Sequence, residues 1–179
     1  NWRLILGWDD GTNAPRSVHL YAVDNDSRVW CIWEYYRAGE DIIDAARNIK
    51  DELIQIGYWP RIWKLVVDPS MRKKNDQTAL SNIDILSSLG FGFQIAQVEL
   101  GNNSREDGWK LMKNYLNHKP YEEPLLKVFR TCKELIRTLP QLVYYAPKNG
   151  KLSEDLDTNQ EDHAADECRY VLMSLDQLP

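Results

Sequence analysis

Two short apolar runs break off abruptly at carboxylates, and they constrain the fold more than any other feature of the chain. Arg3 to Trp8 ends in Asp9-Asp10-Gly11 and a turn-forming stretch through Pro15, while Ile62 to Val67 ends in Asp68-Pro69. Short apolar runs bounded by turn formers read as strands, and a proline directly after the second cannot continue a central ladder. Between them, Ser17 to Val23 and Arg28 to Tyr36 are β-branched and aromatic segments separated by Asp24-Asn25-Asp26-Ser27, which predicts an antiparallel hairpin. Glu40 to Ile56 repeats its apolar residues Ile42, Ile43, Ala46, Ile49, Leu53 and Ile56 at spacings of three and four, the pattern of an amphipathic helix. Glu40 and Asp41 suit its N-terminus and Gly57 ends it.

Further elements follow. The pattern predicts a helix over 76–89 closed by Gly90, a strand over 92–98 and a helix over 105–116. A short strand is expected over 125–128, then a helix over 129–139 with Phe129, Cys132, Leu135 and Ile136 on one side. A last β segment is expected over 143–146, and a final helix over 161–175. The order β-β-β-α-β-α-β-α, with no repeat or flexible linker, reads as one α/β domain over residues 1–179.

Composition narrows the class. A chain of 179 residues with 43% hydrophobic content can bury a core without disulfides or a structural metal. No apolar run approaches membrane-spanning length and the start carries no signal-peptide pattern, so a soluble, unexported domain is expected. Cys31, Cys132 and Cys168 are odd in number and far apart, which reads as reduced thiols. The missing initiator Met leads us to expect a fragment of a longer protein. The net charge of −5 would ordinarily argue against nucleic acid. Residues 150–179, however, hold eight acidic residues against two basic ones, leaving 20 basic and 19 acidic in the rest. The body is neutral and the acidity is terminal.

That terminal segment holds the third notable cluster. In Glu161-Asp162-His163-Ala164-Ala165-Asp166-Glu167, a helix presents Asp162, His163 and Asp166 at neighbouring positions, where like charges repel. Taken alone, such acids could simply suit a helix N-terminus. Taken with Asp9 and Asp68, they supply the hard oxygen donors, with one nitrogen, that Mg²⁺ or Mn²⁺ accepts. Two ions about 3.5–4 Å apart would offset the repulsion and support in-line displacement at phosphorus. Neither a phosphate-cradling Gly-x-x-x-x-Gly-Lys loop nor a Gly-x-Ser-x-Gly nucleophile elbow is present. His19 and His118 lack ligand-like neighbours in the sequence and read as structural or surface residues.

The order of elements and the three motifs together resemble the nuclease domain of the large terminase subunit of tailed bacteriophages. The first motif appears as Gly7-Trp8-Asp9-Asp10-Gly11 with Pro15, the second as Leu65-Val66-Val67-Asp68-Pro69, and the third as Asp162-His163-Ala164-Ala165-Asp166-Glu167-Cys168-Arg169-Tyr170. The one departure is Glu167, where the family usually has a small residue; it is expected to add an acid beside the site. The resemblance implies an RNase H-like fold, with a central mixed five-stranded sheet, its first three strands antiparallel, flanked by helices and completed by a C-terminal helix. It implies a metal-dependent endonuclease that cuts concatemeric viral double-stranded DNA at the start and end of genome packaging. Asp9, Asp68 and Asp166 match the catalytic acids, His163 the accompanying histidine and Asp162 an adjacent acidic ligand position. The implied partners are an upstream ATPase domain of the same chain, the portal and the small terminase subunit, with no membrane, in the host cell cytoplasm. Arg105 is drawn towards the site by the same resemblance.

Consecutive strand residues face opposite ways, so only one of Asp9 and Asp10 can meet the ions, and the motif selects Asp9. Arg72-Lys73-Lys74 just after Asp68, and Lys148 and Lys151 before the acidic helix, are candidate phosphate contacts. Most of the seven tryptophans read as core or rim. Two other readings stay open at this point: another RNase H-like nuclease such as a Holliday-junction resolvase, and a non-catalytic docking module that uses the acidic terminal helix.

Overall fold

Alternation along β1 organises the molecule. The computed structural model describes residues 2–11, 14–97, 104–117, 120, 122–144, 156–157 and 160–176. In it β1 (Arg3–Asp9) lies between β2 (Arg16–Val23), which runs antiparallel to it, and β4 (Ile62–Val67), which runs parallel. β3 (Val29–Arg37) pairs antiparallel with β2, and β5 (Gln94–Gln97) pairs parallel with β4. The expected mixed sheet with three antiparallel leading strands is therefore present. A short sixth strand, β6 (Leu126–Val128), extends it beside β3, giving the order β5-β4-β1-β2-β3-β6.

Each face of the sheet carries its own core. Leu4, Leu6 and Trp8 of β1 pack with Val18, Leu20, Leu65 and Val67 beneath α1 (Ile42–Gln55) and α2 (Asn82–Ser88). Ile5 points the other way and packs with Tyr21, Cys31 and Val66 beneath α3 (Ser104–Leu116), α4 (Lys133–Thr138) and α5 (His163–Asp176). Helix α5 is deeply set, with Ala164, Ala165, Cys168, Val171 and Leu172 fully buried. Burying a Val or Leu side chain contributes roughly 1.5–3 kcal/mol. That apolar face can hold the helix on the sheet even though its first turn crowds carboxylates together. The three cysteines are buried free thiols, and Cys31 and Cys132, far apart in sequence, meet with their Sγ atoms 3.5 Å apart. Among the described residues no helix is long and apolar enough to cross a membrane.

Helix boundaries show where local hydrogen bonding overrides apolar periodicity. α1 begins where the Asp41 side chain accepts from the backbone N–H groups of Ile43 and Asp44, and it ends before Gly57, whose φ is +78°. The helix expected from residue 76 starts only at Asn82. Asn75 Oδ1 instead accepts from the Gln77 and Thr78 N–H groups, Ala79 takes a left-handed φ of 57°, and Ser81 with Asp84 forms a capping box. Likewise α4 is shorter than the expected 129–139, with Leu139–Gln141 forming a 3-10 turn and Phe129 and Ile136 exposed. Of the expected 143–146 strand, Tyr144 makes an isolated antiparallel bridge to Leu156, and residues 145–146 lie outside the described residues.

Candidate active site

Parallel pairing places Trp8 beside Val67, and the Asp68 N–H donates to the Trp8 carbonyl at 2.9 Å. Asp9 and Asp68 therefore leave adjacent strands at the same end of the sheet. Asp9 shares the Ile5 face of β1, so it points towards α5. There its Oδ2 lies 3.0 Å from Nδ1 of His163, the first residue of that helix. Asp10 faces the opposite layer, as its parity requires, where its carboxylate accepts from Arg16 Nε and from Asn82 Nδ2.

The electrostatics identify which carboxylates share this space. Burial pushes the Asp9 carboxyl up to about 6; the His163 hydrogen bond opposes the rise, and the charges of Asp68 and Asp166 add to it. His163 in turn is raised, chiefly by its hydrogen bond to Asp9 and against the cost of burial. Asp166 is raised by burial, opposed by Arg169 and Arg105. Asp9 of β1 thus feels the charges of both Asp68, after β4, and Asp166 of α5.

Two arginines and a tyrosine complete the surroundings. Arg169, 1% exposed, donates to Asp166 Oδ1 from Nε at 3.0 Å and from Nη2 at 2.8 Å. Its stem passes Gly108 of α3, where a β-carbon would stand only 2.7 Å from Arg169 Cδ. Arg105 at the start of α3 spans two acids, with Nη2 3.0 Å from Asp162 Oδ2 and Nη1 3.3 Å from Asp166 Oδ2. Burial, with the charges of Asp68 and Asp166 beside it, pushes the Tyr170 hydroxyl well above the ordinary phenol range. Sequence reasoning assigned no role to Arg169 or Tyr170, although both stand in the third motif at the helical spacing that brings them to Asp166.

Hard oxygen donors around a buried, mutually repelling carboxylate set are the chemistry that suits a divalent cation. Among the described residues no three His, Cys, Asp or Glu side chains already stand in ligating geometry. Asp68 Oδ1 accepts from the Ser70 N–H at 2.6 Å, which ties that carboxylate to the 3-10 turn Pro69–Arg72. Arg72, Lys73 and Lys74 follow directly and are exposed, whereas Lys148, Lys151 and His118 lie outside the described residues.

Glu167 corrects an expectation. It does not add an acid to the site, because successive helix residues are about 100° apart and its side chain turns inward to the sheet. Fully buried, it accepts from Tyr21 Oη at 2.8 Å and pairs with His19 Nδ1 at 2.7 Å. His19, read from the sequence as structural or surface for want of ligand-like neighbours, is fully buried and has two acidic neighbours that lie far off in sequence, Glu167 and Glu34.

The fold recurs in solved structures. The chain superposes on the large terminase of a thermophilic bacteriophage with a TM-score of 0.74 and 20% identity, covering 97% of this chain and 40% of that one. It superposes on the P22 large terminase nuclease domain with a TM-score of 0.70 and 18% identity, over 98% of this chain and 82% of that one. The g2p (large terminase) nuclease domain of bacteriophage SPP1 with bound Mn gives 0.69 and 17%, over 98% and 87%. The fold is that of a large-terminase nuclease domain. It is accordingly RNase H-like. The chain spans 40% of the thermophilic phage's large terminase, and its shared fold extends over 87% and 82% of the SPP1 and P22 nuclease domains. No protein-family profile and no curated protein matches the sequence.

Proposed function

We propose that the chain is the endonuclease domain of a large terminase, cutting concatemeric double-stranded viral DNA when genome packaging begins and ends. The observation that carries this reading is the convergence of Asp9, Asp68 and Asp166 from three separate elements on one end of the sheet, with Asp9 raised by burial and by the other two charges. An acidic group that a fold buries without enough counter-charge has its natural partner in a cation. The SPP1 domain of the same fold was solved with bound Mn.

Asp9, Asp68 and Asp166 would hold Mg²⁺ or Mn²⁺, two ions in our reading, with Asp162 beside them. The chemistry supplied there would be a lowered pKa for an attacking water and stabilisation of the leaving oxygen in an in-line displacement. The chain's own residues do the rest. His163 keeps a proton on Nδ1 towards Asp9 Oδ2 and so fixes that carboxylate's orientation. Arg169 fixes Asp166 through one oxygen only, leaving the other towards Arg105. Arg72, Lys73 and Lys74 stand where DNA phosphates would pass next to Asp68, so binding should show little sequence preference and strong salt dependence. Lys148 and Lys151 are candidates for the same task.

In this reading the chain works with an ATPase domain upstream in the same protein, and with the portal and small terminase subunit as partners in the host cytoplasm; the large terminase it superposes on is a longer chain, of which it covers 40%. A docking role for the acidic helix has less support, since Asp162 is 9% exposed and Glu167 is fully buried. The test is cleavage of supercoiled plasmid with Mn²⁺ or Mg²⁺, with and without EDTA. We expect nicking that needs the metal and is lost in Asp68→Ala. No cleavage with either metal, or undiminished cleavage by the variant, overturns the reading.

A further inference from the structure

Glu167 takes part in a buried polar chain that crosses the domain behind the acidic site. Its Oε2 is shared by His19 Nδ1 at 2.7 Å and Tyr21 Oη at 2.8 Å. The other His19 nitrogen, Nε2, is 3.0 Å from Glu34 Oε2, and Glu34 accepts from the Glu134 and Leu135 N–H groups at the start of α4. Imidazole with an acid on each side is bonded at both nitrogens, the arrangement of a protonated ring. Strands β2 and β3 and helices α4 and α5 are thereby joined through four side chains.

The remaining oxygen is the informative one. Glu167 Oε1 is buried and has no hydrogen-bond partner among the described residues. It occupies the space beside Gly7, where an ideal β-carbon would fall 1.5 Å from Oε1 and 2.7 Å from Val171 Cγ2. Gly7 precedes Asp9 by two residues and so lies on the same face of β1. The helix therefore meets the strands at three successive levels: His163 at Asp9, Glu167 at Gly7, and the Ser174 carbonyl at Lys64 Nζ, 3.1 Å away in β4.

Stability alone does not account for this arrangement. Taking a carboxylate fully out of water costs several kcal/mol, and a well-packed apolar side chain of similar volume would commonly serve as well or better. What the carboxylate adds is geometry, because its hydrogen bonds set its direction and its length fills the gap that Gly7 leaves. We infer that Glu167 is a positioning residue: seated between Gly7 and the His19–Tyr21 pair, it sets the height of α5 on β1 at which His163 and Asp166 meet Asp9. The consequence for metal binding rests on the nuclease reading above; the positional claim does not.

Length and charge can be separated by two conservative variants. Glu167→Gln keeps the length without the charge, and Glu167→Asp keeps the charge but withdraws it from Gly7. The His163 ring proton resonances, measured in the metal-free domain at a single pH, report whether His163 still meets Asp9, and calorimetry gives Mn²⁺ affinity. We expect Glu167→Gln to keep the native His163 resonances and a dissociation constant within about 3-fold of native. Glu167→Asp should shift them and weaken Mn²⁺ about 10- to 100-fold, the range seen when a residue supporting a metal ligand is lost. Gly7→Ala should resemble Glu167→Asp, and Gly7→Ala with Glu167→Ala should recover part of the loss, Val171 remaining close to the added methyl. The inference is overturned if Glu167→Asp leaves the resonances unchanged, or if the Gln variant is impaired as much as the Asp variant. If the native domain binds no Mn²⁺, the nuclease reading fails, while the resonances still decide the position of α5.

Discussion

Asp166 and Glu167 are consecutive acids on α5, both largely withdrawn from solvent, and their surroundings treat negative charge in opposite ways. Around Glu167 the fold supplies His19 and Tyr21 to one carboxylate oxygen, with Glu34 on the far side of His19, so its partners come from within the fold even though burial still holds the carboxyl above its ordinary range. Around Asp166 the fold adds Asp9 and Asp68 to the problem and supplies two arginines, one of them part-exposed. The first cluster is closed and structural; the second keeps acidity in excess and needs something from outside. Nearby acids of one chemical type can thus be told apart by where their counter-charge comes from.

Neutralising an acid in each cluster should break this comparison most sharply. Asp9→Asn removes a carboxylate whose ordinary ionisation is resisted in the fold, so it should abolish cleavage, by about 100-fold or more, and yet raise stability. The sign follows from the shift: a carboxyl raised to about 6 destabilises the fold increasingly as pH rises from near 4 through 6, so at pH 8 the full penalty applies. Relief of roughly 1–3 kcal/mol is expected in thermal melts of the metal-free protein. Added Mn²⁺ should stabilise the native protein and not the variant. An Asp9→Asn protein that melts lower than native at pH 8 would show that the cluster is already compensated.

The closed cluster has its own pH signature. Burial opposes a charge on His19, but Glu167 and Glu34 outweigh it and push the imidazole up to about 9. A raised histidine contributes stability that is complete below its unfolded pKa of about 6.5 and is lost as pH climbs through the folded value. Between pH 6.5 and 9.5 the native protein should lose on the order of 2–3 kcal/mol, measured by denaturant titration. His19→Asn should start lower and lose less over the same interval.

At the site's outer edge the expected effects are smaller. Replacing Arg72, Lys73 and Lys74 together with Ala should lower the slope of log affinity against log salt by about one for each phosphate contact removed. Affinity should fall about equally for unrelated duplex sequences. An unchanged slope, read by fluorescence anisotropy across a salt series, would place the DNA path elsewhere.

Much of this was legible in the sequence because it follows from local rules. Strand parity allowed only one of Asp9 and Asp10 at the site and the motif selected Asp9; the structure sends Asp10 to Arg16 and Asn82 on the other layer. Apolar periodicity located every major helix. It overran α2, because it takes no account of the Asn75 side chain and the Ser81 cap, which satisfy the backbone without a helix. The role of Glu167 was not legible, since its partners His19 and Tyr21 are about 150 positions away and only the β2 pairing beside β1 brings them under α5. Gly7 carried the available signal: a glycine inside a buried strand marks a close approach, though not by what.

Arg105 gives the finest test of the distinction between the clusters. It bridges Asp162 and Asp166, so part of the excess acidity is already met by a cation belonging to the chain. Its side chain is 29% exposed, and a part-exposed ion pair is worth only about 0.5–1 kcal/mol. A resident cation of that strength competes with a divalent ion for Asp166 Oδ2 without excluding it. Removing it in Arg105→Ala should therefore tighten Mn²⁺ binding by about two- to five-fold, as read by calorimetry. Had Arg105 been part of a closed cluster like that of His19, its removal would instead loosen the helix and weaken the metal. The direction of the change, more than its size, reports whether the acids of α5 are held ready for a ligand or already satisfied.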